Sequence, residues 1–139
     1  MSYLIDTDII SLAHKRNLPA KLETWLKANQ AECFISSVSI AEMRYGVEIA
    51  PASHREILAA RVAETESQFA EAIEHVTPES LVQWKRVAAF LKQERRTISC
   101  EDSLLAAQCL AAGHCMATNN TAHFALLKPL GLDVVNPLK

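Results

Sequence analysis

The stretch LIDTDIIS, residues 4–11, decides the fold, because it places two acids directly behind an apolar run. Leu4 and Ile5 belong to a segment that is typical of a buried β-strand, and a helical pattern begins immediately after it. Asp6 ends this strand, and Asp8 follows with one residue between them. A buried carboxylate is costly unless it is paired, hydrogen-bonded or bound to a metal ion. The two acids therefore either start a helix or begin a functional site.

The composition indicates one globular domain that spans residues 1–139. Half of the residues are apolar and 22% are charged, which excludes an intrinsically disordered chain. The formal net charge of −2 excludes a protein that grips long duplex DNA through an overall basic field. Binding to nucleic acid would need a local basic patch or a metal ion instead.

The sequence predicts neither a membrane protein nor a secreted one. No stretch approaches the roughly 20 apolar residues of a membrane span, and the N-terminus lacks the pattern of a signal peptide. We therefore expect a cytoplasmic protein with no membrane contact, whose four cysteines stay reduced. A zinc site formed by Cys109, His114 and Cys115 is an alternative, but their spacing is wrong for the usual zinc knuckles.

Short apolar runs alternate with longer helical patterns along the whole chain. Strands are predicted at 3–6, 32–36, 74–76, 114–118 and 132–137, and helices at 7–15, 22–30, 39–49, 53–74, 78–96, 100–113 and 120–127. The third of these helices is expected to break near Gly46 and Pro51. Short strands separated by helices call for a parallel sheet covered on both faces. The predicted fold class is α/β.

In such a sheet, ligands bind beyond the carboxyl ends of the strands, where the following helices begin. Asp6 and Asp8 fall at this rim, while Glu42 and Asp102 are predicted in the first turns of two helices. Of the four aspartates in the chain, only Asp133 lies elsewhere. The competing interpretation is helix capping, because Ser39 to Glu42 and Ser99 to Asp102 both fit the capping-box pattern. Acids in a first turn also suit the helix dipole.

Several carboxylates on one rim repel one another. At ~4 Å, with an effective dielectric constant near ~20, each like-charged pair costs roughly 4 kcal/mol. Such a group normally keeps a proton on one acid or binds a cation. Oxygen ligands select hard ions such as Mg²⁺ or Mn²⁺, which polarise phosphoryl oxygens and activate water. This chemistry points to hydrolysis of phosphodiester bonds.

The ordered set of motifs resembles PIN-domain ribonucleases, specifically the VapC-type toxins of type II toxin–antitoxin pairs. The resemblance covers essentially the whole chain, and it rests on the segments LIDTDIIS, SSVSIAEMRYGV, CEDSLLAAQCLAAG, MATNNTAHF and GLDVVNP. It implies a PIN-like three-layer α/β/α sandwich with a central, mostly parallel sheet of four to five short strands. It also implies a metal-dependent endoribonuclease that cuts RNA.

By this resemblance, Asp6, Glu42 and Asp102 would be the catalytic carboxylates that hold Mg²⁺ or Mn²⁺, and a metal-activated water would be the nucleophile. Thr118 would position the water or the metal, and Asn120 would support the same rim. Two residues depart from the family pattern. Asp8 stands where the family often has Asn, and His123 stands where a fourth acid is common. Because imidazole is a poor ligand for Mg²⁺, we expect one well-held ion and a weak or absent second.

The sequence also suggests which basic side chains contact the substrate and which partners the protein binds. Arg95, Arg96 and Arg44 are candidates for contact with substrate phosphates, although cations at a helix C-terminus also suit the dipole. The resemblance implies a cognate VapB-type antitoxin, which contacts DNA and packs its C-terminal segment along a groove of the toxin. The apolar stripe predicted on helix 53–74 (Leu58, Val62, Phe69 and Ile73) is a candidate for that contact. A homodimer, or a higher toxin–antitoxin assembly, is also expected.

Three other interpretations compete with this one. A response-regulator receiver needs an aspartate at the end of a middle strand, and the chain has none between Asp8 and Asp102. A haloacid-dehalogenase-type phosphatase would use Asp6 as nucleophile and Asp8 as acid, but its second acid pair should follow a strand. A catalytically weak or inactive PIN module that binds RNA or a partner protein is the remaining alternative, and His123 is the residue that favours it.

Overall fold

A computed structural model describes all 139 residues, and it contains one five-stranded parallel sheet. The strand order is β3-β2-β1-β4-β5, so β1, which carries the opening motif, lies at the centre. The strands are β1 (Tyr3–Ile5), β2 (Cys33–Ser36), β3 (Ile73–Glu74), β4 (Cys115–Ala117) and β5 (Val134–Val135). Every pairing is parallel. All strands therefore end at one edge of the sheet, which we call the rim.

Seven α-helices connect and cover the strands. They are α1 (Thr7–Ala13), α2 (Ala20–Asn29), α3 (Ser37–Ile49), α4 (Ala52–Gln68), α5 (Pro78–Gln93), α6 (Cys100–Ala112) and α7 (Thr121–Phe124). Short 3₁₀ segments follow α2 and α7. None of the helices is long and apolar enough to cross a membrane.

Alternating side chains on the strands divide the core into two layers. Leu4 faces one cluster, which includes Val87 and Leu91 of α5 and Leu105 of α6. Its neighbour Ile5 faces the other, which is built from α1, α2 and the start of α3. Because successive strand residues point to opposite faces, a central strand with both faces buried must be continuously apolar. This confirms the predicted three-layer sandwich with a sheet of five strands.

Two predicted helix boundaries were wrong in ways that matter for the site. The helix after β2 starts at Ser37, with Ser36 as its N-cap, so Glu42 lies in the second turn and not in the first. Ser39 is buried inside the helix and does not cap it. The same helix passes through Gly46 without a break and ends at Ile49. The predicted helix 53–74 ends at Gln68, which leaves Phe69 and Ile73 outside it.

Helices α5 and α6 form an antiparallel pair joined by residues 94–99. Trp84 of α5 donates from Nε1 to Ser103 Oγ near the start of α6, at 2.8 Å. Ser80, one turn earlier, lines a small cavity with Gln108 near the end of α6. The C-terminal end of α5 therefore lies at the same end of the domain as the first turn of α6. Helix α6 ends at Gly113 as predicted, with a left-handed φ of 77°.

The end of α5 also uses a left-handed residue, but not a glycine. The predicted helix 78–96 stops at Gln93, and Arg95 has φ 55°. Backbone bonds close the turn, since the N–H of Arg96 donates to the Leu91 carbonyl at 2.9 Å. A left-handed conformation costs a non-glycine residue roughly 1–2 kcal/mol. This turn fixes the direction in which the chain enters α6.

Candidate functional site

Asp6 sits where β1 ends and α1 begins, and its side chain caps that helix. The predicted strand 3–6 is one residue too long, because β1 ends at Ile5 and Asp6 is the N-cap of α1. Its Oδ1 accepts from the N–H of Thr7 at 2.7 Å, and its own N–H donates to the Ala117 carbonyl of β4 at 2.9 Å. The residue is only 7% exposed. Helix capping and burial at the rim thus coincide in one carboxyl group.

Thr118 provides the second hydrogen bond to Asp6. It directly follows β4, is fully buried, and its Oγ1 donates to Asp6 Oδ2 at 2.7 Å. The same hydroxyl accepts from the N–H of Asn120 at 2.9 Å. Both oxygens of Asp6 are therefore fixed, one by the first residue of α1 and the other by the residue that follows β4. The structure brings Thr118 to the rim as the sequence predicted, whereas Asn120 contributes its backbone N–H.

Asp8 lies in the first turn of α1 and points toward the segment after β4. Its Oδ2 accepts from the N–H of Asn119 at 3.2 Å. Its Oδ1 is buried and has no hydrogen-bond partner. Buried polar atoms are nearly always paired, so this free oxygen marks the place where a further donor or a cation fits.

Glu42 approaches the rim from α3, at the mouth of the site. Thr7 donates from its hydroxyl to Ser39 Oγ at 2.9 Å and ties α1 to the buried face of α3. Placement in the second turn brings Glu42 beside this contact and close to the acids of α6. The sequence pattern did not predict the contact between Thr7 and the buried Ser39, and it assigned Glu101 to a site only in the dehalogenase alternative. Thr7 could have been found, because it lies between the two acids of the opening motif.

Asp102 lies in the first turn of α6, and its N–H donates to Ser99 Oγ at 3.1 Å. The predicted Ser99 cap is therefore confirmed. His123 of α7 faces Asp102, with Nε2 and Oδ2 separated by 3.4 Å. That Nε2 is buried and its geometry makes no hydrogen bond, so the pair is a close contact without a bond. Both residues that depart from the family pattern, Asp8 and His123, therefore lie at the rim.

The crowded carboxyl groups have raised pKa values. Burial is the main cause of the increase in the pKa of Asp6 from 3.8 to about 7, with the charges of Asp8 and Asp102 adding to it and the Thr118 hydrogen bond opposing it. Burial likewise raises the pKa of Asp8, against the Asn119 hydrogen bond. For Glu42, partial burial and then the charges of Glu101 and Asp102 raise the pKa. The rim therefore holds more negative charge than it can stabilise alone.

A model of the PIN domain matches residues 3–127 of the chain. This chain belongs to the PIN-domain family. It is 29% identical over 138 residues to VapC ribonuclease Y4jK of Sinorhizobium fredii, with 96% of each chain covered. It is also similar to VapBC2 from Rickettsia felis bound to a DNA fragment from their promoter, with a TM-score of 0.83, 23% identity and 98% of each chain covered.

A further solved structure, from Mycobacterium tuberculosis, is VapBC-5, a member of the VapBC family of toxin–antitoxin systems. The PIN domain aligns with it at a TM-score of 0.75 and 18% identity, over 97% of this chain and 98% of the other. At sequence identities this low, the two structural matches establish a shared fold and nothing more. The resemblance to VapC-type PIN proteins, drawn from the ordered motifs, is confirmed.

The chemistry of the PIN-domain rim fits a hard divalent cation. No three His, Cys, Asp or Glu side chains converge closely enough to form a closed metal cage. Mg²⁺ is commonly held by one or two carboxylates, with water and substrate phosphates completing its ligands. Buried carboxylate oxygens, the free Oδ1 of Asp8 and mutual repulsion suit such an ion. The zinc alternative finds no support, since His114 contacts Ser2 and Glu74.

The predicted basic residues divide into two groups. Arg44 makes a two-bond ion pair with Glu66 of α4, so its guanidinium links α3 to α4. Arg95 and Arg96 are exposed and form no ion pair, at the loop that leads into α6. Only the second group is left available to an anionic ligand beside Asp102.

We predict that Asp6→Asn stabilises the metal-free PIN domain at neutral and higher pH. A folded-state pKa of about 7 lies above the unfolded value of 3.8, so the wild type loses stability as pH rises from about 4 to about 7. In EDTA near pH 8, the variant should be more stable by about 2 to 4 kcal/mol, and the difference should vanish toward pH 4. Urea unfolding across this range measures it.

Adding Mn²⁺ should reverse the order, because the cation stabilises only a rim that retains the carboxylate. A metal-free variant that is less stable than the wild type near pH 8 would contradict the prediction. It would mean that the hydrogen bonds from Thr7 and Thr118 outweigh burial and charge repulsion.

Proposed function

We propose that this PIN domain is a metal-dependent endoribonuclease that acts as a VapC-type toxin. The observation that carries the proposal is the placement of Asp6, Asp8 and Asp102 at one rim, where burial and then the charges of Asp8 and Asp102 raise the pKa of Asp6 to about 7. The name of the curated relative, VapC ribonuclease, supports RNA as the substrate.

The proposed roles follow from the contacts. Asp6, Asp102 and Glu42 are the candidates to hold Mg²⁺ or Mn²⁺, with Asp8 as an accessory carboxylate. A bound divalent ion supplies polarisation of the scissile phosphoryl group and a lowered pKa for water. Thr118 keeps the Asp6 carboxylate oriented through its 2.7 Å hydrogen bond. His123 occupies the position of the usual fourth acid, so a single well-held ion is proposed, with Mn²⁺ favoured over Mg²⁺.

Cleavage of total cellular RNA by the purified, antitoxin-free protein tests the activity directly. With Mn²⁺ or Mg²⁺ the wild type should cut, and EDTA should stop it. Asp6→Asn should lower the rate by at least about a hundredfold while remaining folded. Asp133→Asn is the matched control, because it removes the one aspartate outside the rim.

Equal cleavage by the wild type and Asp6→Asn would show that the rim is not catalytic. A wild type that binds RNA but does not cut it with any divalent ion would favour the main alternative, an inactive PIN module that only binds RNA. His123 is the residue that favours this alternative.

Binding of Mn²⁺ provides a test that does not depend on activity. Because the ion competes with the proton on Asp6, its affinity should rise about tenfold per pH unit below pH ~7 and level off above it. Thr118→Val removes a hydrogen bond that lowers the pKa of Asp6, so its profile should shift to higher pH. Thr118→Ser keeps the hydroxyl and should behave as the wild type does.

Calorimetric titration of metal-free protein at several pH values measures this affinity. An affinity that does not change across the same pH range would remove Asp6 from the ligand set. A second ion of equal affinity would contradict the single-ion proposal.

The partner proposed for this toxin is an antitoxin whose C-terminal segment lies in a groove beside the rim. Helix α4 is an open wall of this groove, since Thr65 is its only buried residue. A cavity of about 400 Å³ runs between α1, α3 and α4, lined by Leu58 and Val62, and it reaches Thr7 and Glu42. An apolar segment seated there could place a basic side chain near the acids. Self-association into a homodimer stays a prediction.

Substitution in the groove separates inhibition from catalysis. Leu58→Glu should prevent co-purification with the cognate antitoxin, because a charge in the apolar groove loses its hydration. RNA cleavage should be unchanged, since Leu58 belongs to α4, which carries none of the candidate metal-binding acids. Ile57→Glu is the matched control, as Ile57 is 55% exposed and does not line the groove. Loss of the complex with both variants, or with neither, would contradict this seat.

A further inference from the structure

The cations of this chain are concentrated beside the rim. Residues 85–96 contain five of the fourteen Lys and Arg residues and one acid, Glu94. All five cations are exposed, and none of them takes part in an ion pair. In contrast, Arg44 and Lys27 are paired with acids. Lys15 and Arg16 are also exposed and unpaired, but no other segment of this protein of net charge −2 holds as many cations in so few residues.

Helix geometry aligns these cations on one surface. Lys85 and Lys92 are seven residues apart, which is about two turns, so they share a face. Val87 and Leu91 are buried on the opposite face. Arg96 follows in the turn after the helix end, where its N–H donates to the Leu91 carbonyl. We call Lys85, Lys92 and Arg96, flanked by Arg86 and Arg95, the α5 cationic stripe.

Two contacts place the stripe alongside the acids. The hydrogen bond from Trp84 to Ser103 anchors its beginning one residue from Asp102. Lys85 stands over the Trp84 ring, with its Nζ 5.4 Å from the centroid. At the other end, the loop after Arg96 leads within three residues to Ser99, the N-cap of the helix that carries Asp102. The stripe therefore begins beside the first turn of α6, next to Asp102, and ends at the turn that leads into that helix.

The backbone of Arg95 is a separate observation at the same place. Its left-handed φ of 55° belongs to a position where glycine would be free of strain. An exposed arginine there contributes nothing to the core. Non-glycine residues held in this conformation cluster at functional sites, which suits a cation that is kept for a ligand.

We propose that the α5 cationic stripe binds the phosphate backbone of single-stranded RNA and guides it to the rim; the inference rests on the proposed function. A polyanion approaching Glu42, Glu101 and Asp102 meets repulsion, and a cationic track beside those acids offsets it. Because the stripe contacts phosphates and not bases, it raises affinity for RNA in general and carries no sequence preference.

Salt-dependent RNA binding tests the stripe. In the Asp6→Asn background, which blocks cleavage, the double variant Lys85→Gln/Lys92→Gln is compared with Lys21→Gln/Lys139→Gln. The control removes the same charge from two exposed lysines beside α2, on the other face of the sheet. The probe is a labelled single-stranded oligouridylate, and fluorescence anisotropy gives its Kd at several salt concentrations.

The stripe variant should bind about tenfold more weakly near 0.1 M salt, and the slope of log K against log salt should fall by about 1.4, at roughly 0.7 for each lost phosphate contact. The control should match the Asp6→Asn parent in both respects. In cleavage assays with Asp6 restored, the stripe variant should show a higher KM and an unchanged kcat.

Equal losses in the two double variants, or an unchanged slope in the stripe variant, would overturn the proposal. The proposal would also be overturned if polyglutamate of matched charge displaced the labelled RNA as effectively as unlabelled RNA does. The stripe would then be a binding surface for acidic protein. If the wild type cleaves RNA and the slope is unchanged, the stripe fails while the proposed function stands. If the wild type neither cleaves nor binds RNA, both fail.

Discussion

The buried carboxyl of Asp6 is the constraint on which the rest of the site depends. It lies at the carboxyl end of the central strand, where a parallel sheet brings β1 and β4 side by side. Only there can one side chain cap α1 through Thr7 and receive the Thr118 hydroxyl from the neighbouring strand, each at 2.7 Å. These bonds hold the group in place but do not cancel its burial, because the pKa still rises to about 7. The fold therefore buries a carboxylate whose negative charge its hydrogen bonds stabilise only in part.

That imbalance spreads along the rim, since the other acids are brought in by separate elements. Asp8 comes from the first turn of α1, Asp102 from the first turn of α6, and Glu42 from α3. Each first-turn acid is locally reasonable because it suits a helix dipole, yet their sum is repulsive. Local consistency combined with global conflict is the pattern expected where function overrides stability. The core on both faces of the sheet supplies the rigidity that keeps the acids together.

The sequence was informative where local chemistry and topology agree. Apolar strands alternating with helices predicted the parallel sheet, and acids placed after strands predicted the rim. The position of Glu42 was missed by one turn because Ser36 and Ser39 are both acceptable N-caps, and the choice depends on a tertiary contact. Ser39 is buried because Thr7, which is distant in sequence, donates to it. The end of α4 was predicted wrongly for a related reason. Phe69 and Ile73 continue the helical spacing of apolar residues, but they follow the end of the helix and pack against the core cluster that contains Ile5. The ion pair between Arg44 and Glu66 could not be predicted either, because the two residues are 22 positions apart in the sequence.

The net charge of the chain does not show that its acidic and basic side chains are grouped in separate regions. A value of −2 argues against a general affinity for nucleic acid, but it averages an acidic rim and a basic helix that lie next to each other. The two signs are separated by the α5–α6 turn, where Arg95 adopts φ 55° and directs the chain from one region into the other. Separation of this kind is needed by any site that must hold a cation and also accept a polyanion. Acids alone would repel the substrate, and scattered lysines would neutralise the acids and displace the ion. Placing the cations on an adjacent helix face, tied to the rim by Trp84 and Ser103, satisfies both requirements without a large net charge.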